Sequence, residues 1–444
     1  MLVSIHKHKI ISLLFVVVFA VSAAHAQQTW TLQQCLDTAQ INNKNLQINR
    51  NNILIGEEKN AEAKSNLIPK IYGNADYRYY FDLPYQYMPL SAFGGPEGQF
   101  QSIQFGVPNN INANVQFAMP LYNPQVYGAI QTSKIAGELT ELQYQKSEEQ
   151  IYFEISVLYY NAQILYHQLE FVDSNLVNTK RLFNNTTLLR DQLLATGTDV
   201  NKVQLQLEQL TTQKEFINSN YEQVINALKF AMGIEMDTPI EIDPSIIYQN
   251  SVEYAVASPI DVRVANTQFR ILASELKTLK NSRLPSLALY GTYGTNGYGY
   301  TEKPNQFLDF HPIGFAGLQL SIPLFNGTTT QKKIKQKKIE IQNSELQVSL
   351  LSEQNDMQVL NASQKRIVAQ SSVKTISQQI ELAKSVYNQT VLQQKQGIAN
   401  LTDVLLADNT LREAQQNYLT AVIDYLRADL ELKKLTGNIG LSKN

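Results

Sequence analysis

Two hydrophobic periods alternate along the chain. From Ile71 to Phe81 the odd positions Ile71, Ala75, Tyr77, Tyr79 and Phe81 are apolar, while Tyr72, Asn74, Asp76, Arg78 and Tyr80 fill the even ones. Ile111, Ala113, Val115, Phe117, Met119 and Leu121 repeat the alternation against Asn112, Asn114 and Gln116. Period 2 places successive side chains on opposite faces, so both stretches predict strands with one apolar and one polar face. Leu318, Leu320, Ile322 and Leu324 alternate with Gly317, Gln319, Ser321 and Pro323, and the Gly- and Tyr-rich stretch 287–300 predicts a fourth, less regular strand.

Between the strand pairs the period changes to 3.5. Ile151, Ile155, Leu158, Ala162, Leu165, Leu169, Val172 and Leu176 step by four and three, as do Val203, Leu207, Leu210, Lys214, Ile217, Tyr221, Val224, Leu228 and Ala231. A sustained seven-residue repeat predicts helices that supercoil in packed pairs. Residues 124–196 and 328–396 read as long helices, 32–67, 199–232, 260–284 and 403–435 as shorter ones. At about 1.5 Å per residue the long pair reaches roughly 110 Å, far beyond a bilayer.

The plan is written twice. Met119-Pro120-Leu121-Tyr122-Asn123 corresponds to Ile322-Pro323-Leu324-Phe325-Asn326, Thr198-Asp199-Val200 to Thr402-Asp403-Val404, and Tyr221 to Tyr425. The predicted organisation is a signal peptide at 1–26, a first repeat at 27–233 with its β-hairpin at 68–122, and a mid-height linker at 234–259. A second repeat follows at 260–437 with its hairpin at 285–325, and then a tail at 438–444. The leader reads from basic His6-Lys7-His8-Lys9 through apolar Ile10 to Val21 to Ala24-His25-Ala26, a small-residue cleavage site. No later segment has 18 consecutive apolar residues, so membrane entry requires β structure. Strands of this alternation, with long Gly-, Pro- and Tyr-rich loops at 82–110 and 296–311, fit an outer-membrane barrel; an ordinary half-buried sheet gives the same alternation. Four strands cannot close a barrel in lipid. Three copies supply twelve.

Composition narrows the chemistry. The chain has 444 residues, 37 Lys plus Arg against 39 Asp plus Glu, one cysteine and five histidines. Without Lys7 and Lys9 the balance is 35 against 39, or −4, which does not point to nucleic acid. The single Cys35, in a helical pattern, reads as a packed residue. Outside the leader only His167 and His311 remain, so histidine catalysis and metal clusters have little material. No nucleophile, base and oxyanion donor stand together. The expectation is a non-enzyme without cofactor or metal, with a periplasmic coiled-coil scaffold lacking a pore as the alternative to a channel.

The leader, the duplicated strand-loop-strand and long-helix plan, Asn66-Leu67-Ile68-Pro69 and Ser282-Arg283-Leu284-Pro285 at strand entry, and Gly397 followed by Thr402-Asp403-Val404 together resemble the TolC-like outer-membrane efflux protein family. Ser258-Pro259-Ile260-Asp261-Val262-Arg263 is similar to that family's Arg-Pro-Asp stretch, here without the Arg and with Ile inserted. The resemblance implies a mixed membrane β-barrel plus long α-helical coiled-coil barrel, built as a homotrimer with four strands per chain in one twelve-stranded barrel. It implies a passive exit duct in outer-membrane lipid with a periplasmic tunnel, partnered by a periplasmic adaptor and an inner-membrane pump.

By the same resemblance Gly197, Gly397 and Ile398 mark adaptor-docking helix turns, Asp199 and Asp403 the periplasmic aperture, and Asn74, Asp76, Arg78, Asn112, Asn114 and Gln116 the barrel lumen. Each glycine has a local reading as a helix C-cap at positive φ, and each aspartate as an N-cap. The family's tyrosine and arginine latch positions hold Gln394 and Ala399, a second aspartate is replaced by Leu406, and the first turn reads as four residues shorter than the second. A differently wired gate is the expectation.

Overall fold

The computed structural model describes residues 29–246, 253–255, 257–300 and 309–439; the leader, residues 301–308 of the second long loop and the end of the tail lie outside them. In chain order the elements are α1 (Leu32–Asn42), α2 (Lys44–Ser65), β1 (Lys70–Tyr79), β2 (Tyr85–Pro89), a 3-10 turn (Leu90–Phe93), β3 (Phe100–Gln104), β4 (Asn109–Tyr122), α3 (Pro124–Asp191) and α4 (Gly197–Met232). Then come α5 (Ile260–Asn281), β5 (Ser286–Gly299), β6 (Asp309–Ser321), α6 (Thr329–Lys395) and α7 (Leu401–Leu435). The chain forms two compact units, one from residues 1–52, 141–264 and 348–444, the other from 53–140 and 265–347.

The first unit is helical. α1 begins on a capping box in which Thr31 and Gln34 satisfy each other's backbone donors. The helix expected to run unbroken over 32–67 stops at Asn43, whose backbone is extended (φ −61°, ψ 123°). Its amide Nδ2 donates to the Ala231 carbonyl at 2.7 Å and its Oδ1 accepts from Leu46 N at 3.1 Å. A buried side chain with both ends engaged locally thus outcompetes helical continuity. The coiled-coil steps are filled as the period requires: Ile151, Ile155 and Ala162 of α3 pack with Leu228 and Ala231 of α4 around Cys35, Ala39 and Leu46. Each fully buried Leu or Ile contributes about 1.5–3 kcal/mol. Burial also pushes the Cys35 thiol up to about 12, so it is an inert packed residue. A second cluster joins Ile164 of α3, Ala369 of α6 and Leu419, Val422 and Leu426 of α7.

Segments outside the helices tie into this unit. Trp30 forms a parallel bridge with Ile242, donating N–H to Glu241 O at 2.7 Å and accepting from Asp243 N at 3.0 Å. Tyr254 donates its hydroxyl to Asp429, which pairs with Arg366 and Lys433 at 3.2 Å each.

The second unit carries an antiparallel sheet in the order β1-β4-β5-β6, so the two hairpins join through β4 and β5. The register shifts between Pro120 and Tyr122, where Pro120 has no N–H to donate. Gly294 lies so close to the Ala113 carbonyl that no Cβ fits. Elsewhere along β5 and β6 a ring covers the facing glycine, Tyr293 over Gly314 and Tyr290 over Gly317. This accounts for the irregular look of 287–300, since its alternation is partly of aromatic against glycine. The 82–110 segment, expected as loop, contains a second two-stranded sheet, β2 paired with β3, and the 3-10 turn. Tyr85, Tyr87, Phe100 and Ile103 are strong strand formers, and the Gly and Pro around them mask that signal.

Candidate functional site

Two regions hold the residues singled out by the sequence. The first comprises the helical turns. After α3, Leu193 N donates to Arg190 O and Leu194 N to Leu189 O, both at 2.8 Å, with Leu193 at φ 61°. After α6, Gly397 N donates to Gln394 O at 3.0 Å and Ile398 N to Gln393 O at 2.9 Å, with Gly397 at φ 73°. Both are Schellman endings, with the left-handed residue just past the helix. Thr196 and Asn400 then cap α4 and α7, and Asp199 and Asp403 stand three residues on. Every step is offset by 204, so the turns have equal length, and the expected four-residue difference does not exist.

Two further expectations change with this. Gly197 is not in the turn: it is the first residue of α4 and does not take positive φ, and its counterpart is Leu401. Leu193 occupies the left-handed position, at a conformational cost of about 1–2 kcal/mol for a residue with a Cβ. It is 93% exposed, Leu194 72% and Ile398 73%, so both tips present bare aliphatic side chains. Asp199 and Asp403 are not N-caps either. Each is the acidic partner of a capping box. Asp199 Oδ2 accepts from the Thr196 hydroxyl at 2.7 Å and from Thr196 N at 3.1 Å, and these hydrogen bonds hold its carboxyl below the usual range. Asp403 Oδ2 accepts from Asn400 N at 2.9 Å.

A buried polar layer lies one to two turns farther along the return helices. Asp408 of α7, 4% exposed, accepts from Gln206 Nε2 of α4 at 2.5 Å and pairs with Arg412 at 2.6 Å. Burial raises its pKa, outweighing the opposing pull of Arg412 and Gln206. Asn175 of α3 donates to Gln415 of α7 at 2.9 Å. The sequence carried the signal, an acid at an apolar step of the seam between Val404 and Leu411.

The second region is one face of the sheet. Asn74 stands opposite Asn114 and Asp76 opposite Asn112, so five of the six polar residues from β1 and β4 share a face with Arg78, whose Nε meets Asp76 at 2.8 Å. Asn114 Nδ2 donates to Asn112 Oδ1. Gln116 and Asn112 continue onto Thr292 and Asn296 of β5. Along β6 the face becomes mixed, with His311, Ile313 and Phe315. The other face carries Ile71 (68% exposed), Val115 (52%) and Leu318 (64%). Among the described residues β1 and β6 have no strand partner on their outer sides. Among the described residues no helix is long and apolar enough to cross a membrane, and no group of three His, Cys, Asp or Glu is placed to hold a metal.

Residues 255–438 match the model of the outer membrane efflux protein family. The match takes in the second repeat of the chain. Outer membrane protein TolC of Vibrio cholerae serotype O1 is 21% identical over 343 residues, which cover 74% of this chain and 77% of that protein. The solved structure of the outer membrane protein VceC of Vibrio cholerae has a TM-score of 0.75 at 15% identity, covering 91% of this chain and 96% of that one. The CmeC outer membrane channel of Campylobacter jejuni gives 0.75 at 14%, covering 93% and 87%. The efflux-protein fold, long helices with a small β domain, thus extends over nearly the whole described chain.

Proposed function

We propose that this protein is an outer-membrane channel, the exit duct of a tripartite efflux or secretion system, with a tunnel extending into the periplasm. The observation that carries the reading is the sheet: four antiparallel strands, unpaired at both edges among the described residues, apolar and exposed on one face, and on the other polar along β1 and β4 and mixed along β6. An open edge in lipid costs several kcal/mol for each unsatisfied backbone group. Three copies joined β6 to β1 give a closed twelve-stranded barrel with every junction antiparallel, because β1 and β6 run in opposite directions. The apolar face then meets lipid, and Asn74, Asp76, Arg78, Asn112, Asn114 and Gln116 line a water-filled lumen. The chain is organised as a leader at 1–26, two repeats at 27–233 and 260–437 joined by the 234–259 linker, and a tail at 438–444.

The helix turns are the docking end. Leu193, Leu194, Gly397 and Ile398 offer the periplasmic adaptor an aliphatic surface on each tip, and the inner-membrane pump supplies energy, because the duct performs no chemistry and holds no cofactor. Asp199 and Asp403 form the aperture as well as the capping boxes. The cap occupies Oδ2 of each, Lys202 Nζ lies 3.9 Å from Asp199 Oδ1, and three chains bring six carboxylates together. Gln394, Ala399 and Leu406 stand where the family's other gate residues fall, so Asp199 and Asp403 act here without them. The mass of the detergent-extracted protein tests the reading: three chains per particle in the outer-membrane fraction are expected, and a monomer in the soluble periplasmic fraction contradicts it.

A further inference from the structure

In the unit that carries the sheet, the helices follow the order of their strands. α2 leads into β1, β4 into α3, α5 into β5 and β6 into α6. Polar pairs seal each junction: Asn60 donates to Ser133 at 2.9 Å between α2 and α3, Arg270 meets Glu138 at 2.7 Å between α3 and α5, and Lys337 meets Glu275 at 2.9 Å between α5 and α6. The helical layer therefore ends where the sheet ends, on α2 beside β1 and on α6 beside β6.

Near the sheet these two end helices carry local clusters of opposite sign, lysines on α6 and, on α2, glutamates interleaved with Lys59 and Lys64. Lys332, Lys333, Lys335 and Lys338 crowd the start of α6, all exposed and forming no salt bridge among the described residues. Cations at a helix N-terminus oppose its dipole, so helix formation does not call for them. The same stretch of the other repeat, residues 124–135, has a single lysine, Lys134. At the opposite edge α2 carries Glu57, Glu58 and Glu62, also exposed and without a salt bridge among the described residues.

The faces agree. Glu58 and Glu62 stand one turn apart on the side of α2 away from Gly56, which is buried against Thr140 of α3, while Lys59 and Lys64 fall on its flanks. Lys332, Lys335 and Ile339 share the side of α6 opposite buried Ile334. The depths agree as well. Glu62, Glu58 and Glu57 lie 8, 12 and 13 positions before the first residue of β1, and the lysines 11, 12, 14 and 17 positions after the last residue of β6.

We propose that Lys332 and Lys335 of one copy engage Glu58 and Glu62 of the next, a charged seam that selects the partner edge and fixes register as the barrel closes. The inference rests on the three-copy ring proposed above. Exposed pairs are individually weak, so the seam acts through the penalty for wrong pairings and through faster encounter. Anionic lipid headgroups would account for the lysines alone, whereas a second copy accounts for both edges.

The test is a charge swap in the full chain, read as trimer fraction by native mass spectrometry in detergent across a salt series. Glu58→Lys with Glu62→Lys, or Lys332→Glu with Lys335→Glu, is expected to raise the protein concentration needed for half trimer by roughly tenfold or more at low salt, and less at high salt. Joining the two sets is expected to restore it to within about threefold. Unchanged trimer in either swap, or no rescue in the combination, overturns the proposal. Loss in the lysine variant alone, with reduced carry-over of phosphatidylglycerol, also overturns it and assigns the lysines to lipid. Circular dichroism separates misfolding from failed assembly, and the neutral pair Glu58→Gln with Glu62→Gln, expected to weaken the trimer by a smaller factor, replaces a swap that does not fold. A monomeric unmodified protein instead refutes the ring itself.

Discussion

The long helices of the two repeats have almost the same length, 68 residues in α3 and 67 in α6, and opposite surroundings. α3 buries Ile151, Tyr152, Ile155, Tyr159, Ala162, Ile164 and Val172. α6 buries Ile334, Ala362, Ala369 and Ala383, mostly small side chains, and leaves Leu346 (69% exposed), Leu350, Met357, Leu360 (72%) and Ile367 uncovered. Those exposed positions step by 4, 7, 3 and 7, which is a coiled-coil seam. A seam of this length has no role in water unless a partner covers it. The middle of α3 is therefore covered within the chain, whereas α6 holds an uncovered apolar face.

The sharpest way to break this contrast is to truncate one side chain on each helix. Ile155→Ala, at a fully buried site, is expected to lower unfolding stability by about 2–5 kcal/mol. Leu360→Ala is expected to change the dissociated chain by less than about 0.5 kcal/mol while reducing trimer in detergent. Equal losses of chain stability, with assembly unaffected, would show that the uncovered seam is ordinary surface.

The polar layer comes next. Asp408→Ala strands a largely buried Arg412 and is expected to cost about 3 kcal/mol by denaturant titration. Its pH dependence has a defined sign. Because burial raises the folded-state pKa of Asp408, the charged form is disfavoured in the fold. Its contribution therefore improves as pH falls through the folded pKa, and Asp408→Asn should remove that component. A stability curve unaltered by Asp408→Asn would contradict this.

The two turns give a smaller pair of effects. Leu193→Gly is expected to stabilise by about 1 kcal/mol and Gly397→Leu to destabilise by a similar amount, since both positions are left-handed and nothing crowds a Cβ at 397. Thr196→Ala removes a capping box and is expected to cost about 0.5–2 kcal/mol. Asp199, with its pKa lowered by Thr196, contributes stability above the ordinary carboxylate pKa and loses it as pH falls through the folded value. Thermal unfolding at neutral and acid pH measures both, and no change on Thr196→Ala would mean that the box does not support the helix.

Much of the fold was legible because the chain repeats itself and its periods differ by element. The steps through Ile155 and Leu210 identified the helices and their packed sides, and the alternation around Asn74 and Asn112 identified the strands and the shared polar face. What escaped was decided by single side chains. Asn43 ends a helix whose neighbours would continue it. Tyr85, Tyr87 and Phe100 pair as strands inside a Gly- and Pro-rich stretch. At the first turn a glycine drew attention to 197, although the repeat offset pointed to Leu193, where a leucine accepts a conformation that glycine usually takes. Asp408 interrupts the seam at an apolar step, which was its signal, but its partners Gln206 and Arg412 become evident only when α4 and α7 are packed together.

The central claim is that this chain closes with its copies around an aqueous path. Planar-bilayer recording of the detergent-purified protein tests it most directly. The account predicts discrete channels of small resting conductance that rises when Asp199 and Asp403 are both replaced by Ala; a protein that inserts no channel under conditions where it is fully folded would contradict it.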